Sequence, residues 1–272
     1  MTCAAQDGSP AADAASPPPR RQRRFDLDVG GGRLEAVELP GDPGRRALVL
    51  LHEGLGSVGL WRRFPEQLAE ATGRRVIAFS RAGHGFSDAP PAPRTATFFH
   101  AEALEVLPRV LELVEAPEPI LVGHSDGGSI ALIHAGHHRV TGVVTLAAHV
   151  FVEDVSVDAI ERIRESYLDG DLRERMAPHH ADPDAAFWGW CDVWLDPAFR
   201  AWDLTADTAE VTAPTLVIQG RDDAYGTLEQ VDRIVAAAGD ARPLVVAGGH
   251  SPHLDRPDEV VGAVARFAAP LP

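Results

Sequence analysis

Cysteine is nearly missing from this chain: 272 residues contain two, Cys3 and Cys191. One of them falls in an N-terminal tail, so a structural disulfide is not expected and a reducing, cytoplasmic setting is. Positive charge is also short, with 25 arginine and lysine residues against 40 acidic ones and a net charge of −15. No basic face is then available to neutralise phosphates, which removes nucleic acid as an expected partner. The same balance disfavours an anionic membrane surface and reads simply as solubility. No apolar run approaches the roughly 18 residues that a bilayer span requires. The N-terminus lacks the apolar segment of a secretory signal. RRQRRF at 20–25 has paired arginines, but FDLDVGGG follows, so a twin-arginine signal is rejected and no membrane association is expected.

What the chain does have is 45% hydrophobic residues, enough for one large domain or a core domain with an insertion. Residues 1–24, rich in Ala, Pro, Ser and Asp, read as a disordered tail. FDLDV and RLEAVEL then alternate with period two around GGG, which signals a hairpin. Six further short apolar runs follow: ALVLL (47–51), RVIAF (75–79), PILVG (119–123), GVVTLA (142–147), TLVIQG (215–220) and PLVVAG (243–248). Helical patterns lie between most of them, among them TATFFHAEALEVLPRVLELVEA and DEVVGAVARFA. Strands alternating with helices predict a parallel sheet between helical layers, with an antiparallel edge from the opening hairpin. The expected fold class is α/β, with eight strands. Residues 151–209 break the rhythm: they hold amphipathic segments and four of the five tryptophans, but no strand-like run. They are expected to form a helical cap between strands 6 and 7, over a core of 25–150 and 210–272.

The sharpest local pattern is VGHSDGGS at 122–129. A buried strand, PILV, runs straight into Gly-x-Ser-x-Gly, and an apolar helix follows. Glycines at 123, 127 and 128 permit a sharp turn that lifts the Ser125 hydroxyl out of the sheet. A serine hydroxyl is a weak nucleophile and needs a base. Asp222 and Asp223 lie just past strand 7, and His250 lies just past strand 8. All leave the same edge of a parallel sheet, so they can converge, and histidine has a pKa suited to a base. Taken singly, each of these residues has an ordinary structural explanation; together, in the order Ser, Asp, His, they point to nucleophilic catalysis.

These motifs resemble the α/β-hydrolase superfamily over about residues 25–270. The resemblance rests on LLHEGLGSVGLW, FSRAGHGFSD, GHSDGG, the Gly-x-x-Asp of GRDD, and GGHSPHLDRP. It implies an α/β-hydrolase fold with a mostly parallel eight-stranded sheet, Ser125 as nucleophile, His250 as base and Asp223 as the acid, with Asp222 as fallback. His253 would then be packing or support. The implied oxyanion hole uses the main-chain N–H groups of Asp126 and Gly54, with Leu55 as neighbour. Two departures stand out: Glu53 follows His52 where the family has glycine, and Ser80 precedes Arg81 where it has an acid. The expectation drawn from them is that Glu53 pairs with Arg81 to hold the oxyanion loop; the alternative is that Glu53 faces substrate. Asp126 should turn its carboxylate away from a developing oxyanion. Candidate pocket residues are Glu53, Leu55, Trp61, His124, His149, Trp188 and Tyr225, with Trp190 and Trp194 as further cap residues.

No metal pattern is present, since HEGLG is not His-Glu-x-x-His and the HH pairs at 137–138 and 179–180 lack a carboxylate set. No cofactor is implied. The expected activity is hydrolysis of a small to medium ester or thioester, a small-molecule acyl substrate, through an acyl-serine. Carbon–carbon bond hydrolysis and perhydrolase or acyltransferase chemistry use the same triad. A ligand-binding receptor with vestigial turnover is the rival of another class. Oligomeric state stays open, a homodimer included.

Overall fold

Four short runs, Leu48–Leu51 (β3), Val76–Phe79 (β4), Ile120–His124 (β5) and Gly142–Leu146 (β6), are buried at every position. That is the signature of central strands covered on both faces. Around them lie β1 (Arg23–Asp28), β2 (Arg33–Leu39), β7 (Thr215–Gly220) and β8 (Ala241–Val246). The eight form one sheet in the order β1-β2-β4-β3-β5-β6-β7-β8. β1 and β2 pair antiparallel, as do β2 and β4; every other pairing is parallel. This computed structural model describes residues 21–90 and 92–272. The expected tail lies largely outside the described residues, but its boundary needs correction. Arg23 and Arg24 already belong to β1, where their side chains pair with Glu38 and Glu35 of β2.

Strand alternation builds two cores. Leu48, Leu50, Ile120 and Val122 face one way, onto the helices Phe64–Thr72 and Pro257–Ala268. Val49, Leu51 and Leu121 face the other way, onto the helices Leu107–Leu113 and Asp126–His137. Each fully buried leucine contributes roughly 1.5–3 kcal/mol of transfer free energy. The helix expected across 95–116 is not uniform: a π-helical turn at Glu102–Val106 joins Phe98–Ala101 to Leu107–Leu113. Pro108 has no N–H to donate to the preceding turn, which accounts for the local change of hydrogen-bond spacing.

Between β6 and β7 the chain forms helices, chiefly Asp154–Asp169 and Pro183–Leu195. No helix among the described residues is long and apolar enough to cross a membrane. The parallel register places the carboxyl ends of β3, β5, β6, β7 and β8 along one edge, and in open α/β sheets that edge is where ligands bind.

Candidate active site

β5 ends at His124 and the helix Asp126–His137 begins at once. Ser125 makes the whole turn alone, at φ 50° and ψ −118°. A non-glycine residue held there stores on the order of 1–3 kcal/mol of strain. Its neighbours allow it. A Cβ on Gly123 would lie 2.2 Å from the Gly127 carbonyl oxygen, and one on Gly127 would lie 1.9 Å from that of Leu51. Strand, turn and helix therefore interlock at distances that only glycine permits. The Ser125 N–H donates to the Leu146 carbonyl at 2.8 Å, which fixes the turn from the β6 side.

Ser125 Oγ lies 2.9 Å from His250 Nε2, and His250 Nδ1 lies 2.9 and 2.8 Å from the two oxygens of Asp223. Asp223 also accepts from Gln219 Nε2 at 2.7 Å and from the Tyr225 N–H at 2.8 Å. Burial opposes its ionisation, but the bond and charge of His250, helped by the Tyr225 amide, hold its pKa below the ordinary carboxylate value. An ionised carboxylate only accepts, so Nδ1 of His250 carries a proton and Nε2 offers its lone pair to the serine hydroxyl. Asp222, the fallback acid, is exposed and outside this chain of bonds. His253 packs between Trp61 and Phe64, with ring centroids at 5.1 and 5.0 Å, and burial pushes its pKa down to about 3.

The loop after β3 is held by its carbonyls. His52 Nε2 accepts from the Arg81 N–H at 3.0 Å, so its Nδ1 donates to the Glu53 carbonyl at 2.7 Å. His84 Nδ1 accepts from the Arg94 guanidinium at 2.9 Å, and its Nε2 donates to the Gly54 carbonyl at 2.7 Å. His180 Nδ1 accepts from the Gly85 N–H at 3.1 Å, and its Nε2 donates to the Leu55 carbonyl at 3.1 Å. Burial is the largest influence on each ring and lowers all three pKa values, which keeps them neutral. Three consecutive carbonyls are thus pinned by three imidazoles. In a trans peptide the C=O of one residue and the N–H of the next point in opposite directions. Pinning the Glu53 carbonyl therefore sets the direction of the Gly54 N–H. Sequence reading passed over His84 and His180; the adjacent histidines at 179–180 carried no signal that one of them reaches this loop.

The expected Glu53–Arg81 ion pair does not form. The Arg81 guanidinium donates to the main-chain carbonyls of His52 and Glu53. It does hold the loop, through backbone rather than through the carboxylate. Fully buried, it satisfies two carbonyl acceptors there, and the Glu53 side chain turns to His124. The acid missing before Arg81 has a counterpart in Glu35 of β2, which accepts from Ser80 Oγ at 2.9 Å and from the Phe86 N–H at 3.1 Å.

Beside Ser125 lies a cavity of about 200 Å³. Glu53, Gly54, Leu55, His124, Asp126, His149, Tyr225 and His250 line it, as do Trp190, Trp194, Ser156 and Ile160 from the helices between β6 and β7. Trp61 and Trp188 do not. Trp61 is buried in the core and stacks on Phe64, and the half-buried Trp188 packs edge-on against Tyr167 and Phe187, so apolar packing holds both indoles away from the cavity. Asp126 accepts from Trp194 Nε1 at 3.2 Å. Burial raises its pKa, with the Arg81 charge opposing. The Asp126 N–H, at the first helical position, has no acceptor within its own helix.

The sequence profile of the alpha/beta hydrolase fold matches residues 46–267, and the chain belongs to that family. Over 102 residues it is 32% identical to a proline iminopeptidase of Lactobacillus delbrueckii subsp. lactis, covering 38% of this chain and only 35% of the relative. A longer match, 28% over 267 residues, covers 81% of this chain and 86% of a proline iminopeptidase of Levilactobacillus brevis. Among solved structures, the 2-hydroxy-6-oxo-6-phenylhexa-2,4-dienoate hydrolase of Rhodococcus sp. strain RHA1 superposes with a TM-score of 0.76 at 19% identity, over 91% of this chain and 98% of that one.

Proposed function

We propose that this protein is a serine hydrolase that cleaves a small acyl ester or thioester through an acyl-serine intermediate. The observation that carries the reading is the continuous chain of hydrogen bonds from Ser125 Oγ through His250 to Asp223, with Ser125 and His250 lining a cavity. Ser125 attacks the substrate carbonyl carbon while His250 Nε2 takes its proton. Asp223 fixes the imidazole tautomer and stabilises the imidazolium. The N–H groups of Gly54 and Asp126 receive the oxyanion, and their preorganisation is the largest contribution of this kind of site. His250 then protonates the leaving oxygen or sulfur. Water, deprotonated by His250, attacks the acyl-serine and releases the acid.

The cavity volume lies below the roughly 300–1,000 Å³ of drug-sized pockets, which favours a short acyl group. Leu55, Ile160, Trp190 and Trp194 give it apolar walls, and the helices of 151–209 act as its cap. The chain contains no lysine, and no arginine lines the cavity among the described residues. A dienoate, as cleaved by the Rhodococcus relative, carries a carboxylate that would find no cation there except histidine. Ester or thioester cleavage is therefore preferred to carbon–carbon bond cleavage.

The test is labelling with a fluorophosphonate, followed by mass spectrometry of the intact protein beside Ser125→Ala. A single adduct that disappears in the variant, followed by turnover of short acyl esters, supports the reading. Folded protein that takes no label and turns over no ester refutes it and brings a ligand-binding role forward.

A further inference from the structure

Glu53 and His124 come from different strand ends, yet Oε2 of one and Nδ1 of the other are 3.2 Å apart. The other ring nitrogen, Nε2, lies 2.7 Å from the main-chain carbonyl of His250. A carbonyl only accepts, so Nε2 carries a proton. A carboxyl oxygen and Nδ1 can bond only if one proton lies between them. The pair therefore shares a proton, and its net charge is zero whichever atom holds it. The His124 side chain is 2% exposed and that of Glu53 27%.

We propose that Glu53 and His124 are a positioning pair whose shared proton locks the oxyanion loop, the nucleophile turn and the base loop into one register, and that turnover requires this proton. Glu53 immediately precedes Gly54, His124 immediately precedes Ser125, and the third partner is His250 itself. The kinetic consequence rests on the serine-hydrolase reading above; the shared proton does not.

The surroundings support it. Burial works against a charge on His124, yet the bond and charge of Glu53, the His250 carbonyl and Asp223 raise its pKa. Burial likewise works against ionised Glu53, yet the bond and charge of His124 hold its pKa well below the usual carboxylate range. The other charged or titratable groups facing the pair are Arg81, His52 and His180 beside Glu53, and Asp223, His149, His250 and His253 beside His124. Burial pushes His149 and His253 down to about 3, so neither supplies a replacement charge. Removing the shared proton leaves two acceptors facing each other and makes the pair one unit more negative beside the loop that must receive an oxyanion. Raising the pH frees the base in a Ser–His–Asp site and increases activity. The pair instead predicts an alkaline decline in kcat.

The experiment measures kcat and KM against pH for a neutral p-nitrophenyl ester, with wild type, Glu53→Gln and His124→Ala, beside ¹⁵N imidazole NMR of the first two. In Glu53→Gln the amide donates to Nδ1 of a neutral ring, and Nε2–H stays on the His250 carbonyl. The alkaline decline should vanish, with kcat near neutrality severalfold lower because a charge-assisted bond has become a neutral one. In His124→Ala kcat near neutrality should fall about 100-fold and the alkaline decline should be absent, with KM within about threefold of wild type. NMR should show a charged His124 in wild type at neutral pH and a neutral one in Glu53→Gln. An alkaline decline unchanged in Glu53→Gln overturns the proposal. So does a wild-type His124 whose Nδ1 carries no bridging proton at neutral pH while Glu53 is ionised. If wild type neither takes the fluorophosphonate nor cleaves ester, the serine-hydrolase reading fails and the NMR result still decides the shared proton.

Discussion

The imidazole of His84 donates to the Gly54 carbonyl at 2.7 Å, and His84 itself is not among the residues lining the cavity beside Ser125. Its effect on chemistry is indirect. It holds the peptide that follows Gly54 and, with Arg94 fixing its tautomer, leaves the carbonyl no freedom to turn inward. Oxyanion stabilisation depends on donors that are aimed before the reaction starts, so the cost of a loosened loop falls on the transition state.

His84→Ala should therefore lower kcat by about 10- to 100-fold while KM changes by less than about threefold. It should also destabilise the fold by about 1–3 kcal/mol, since a buried carbonyl loses its donor. Steady-state kinetics and urea unfolding on the same sample separate the two effects. Unchanged kcat would mean that Arg81 and the other histidines hold the loop without it.

His180 ties the helices between β6 and β7 to the same loop. It bridges the Gly85 N–H and the Leu55 carbonyl, and the adjacent Ala181 N–H donates to the Gly85 carbonyl at 2.7 Å. His180→Ala should increase hydrogen exchange of the amides at 85 and 181 by about 10-fold, about 1.4 kcal/mol of lost protection. KM should rise with it, because Trp190 and Trp194 stand on the released helix. Exchange rates equal to wild type would show that the backbone bond alone holds the contact.

Asp223 links stability to pH. Its folded-state pKa lies below the ordinary carboxylate value near 4. The folded protein then binds fewer protons than the unfolded chain in that window, so the stabilisation is present above about pH 4 and is lost as pH falls towards the folded-state pKa. Asp223→Asn lacks this contribution. The gap between wild-type and variant urea midpoints should narrow as pH falls from about 5 to 3. A gap of constant size would mean that Asp223 is not held in its ionised form by His250. The same variant should lower kcat by about 1,000- to 10,000-fold, through loss of the productive tautomer.

Much of the frame was legible because it is written in local periodicity. Apolar runs at 47–51, 119–123 and 142–147 could only be strands buried on both faces, and Gly123 and Gly127 marked the turn around Ser125 before any contact was visible. Asp223 and His250 followed from their places just past β7 and β8. What stayed hidden depends on which side chains meet across distant segments. The charge exchange at Glu53 and Ser80 was noticed, but a pairwise rule led to Arg81. Local spacing holds no record that His124 lies closer to the Glu53 carboxylate, or that Glu35 of β2 reaches Ser80. The three imidazoles on the loop carbonyls come from residues 52, 84 and 180, whose separations along the chain fit no motif.

Gly54 offers a test of the oxyanion loop that leaves the triad untouched. A Cβ at this position would lie 2.1 Å from Trp190 Nε1 and 2.3 Å from its Cδ1. The indole is the wall of the cavity here and sits in a packed helix, with Phe187 at 6.1 Å, so it has little room to retreat. In Gly54→Ala either the loop or the tryptophan must shift, and either shift spoils the alignment of the Gly54 N–H with a bound carbonyl. We expect kcat/KM to fall about 100-fold, with the protein still folded. Trp190→Leu shortens the wall and should by itself enlarge the cavity and weaken binding of short acyl groups. Combining the two removes the collision, so the double variant should recover about 10-fold over Gly54→Ala alone. That recovery, added to the loss in Trp190→Leu alone, is a coupling of at least about 1.4 kcal/mol between residues in contact. Losses that merely add would place Trp190 outside the oxyanion loop's neighbourhood and assign the effect of Gly54→Ala to the backbone alone.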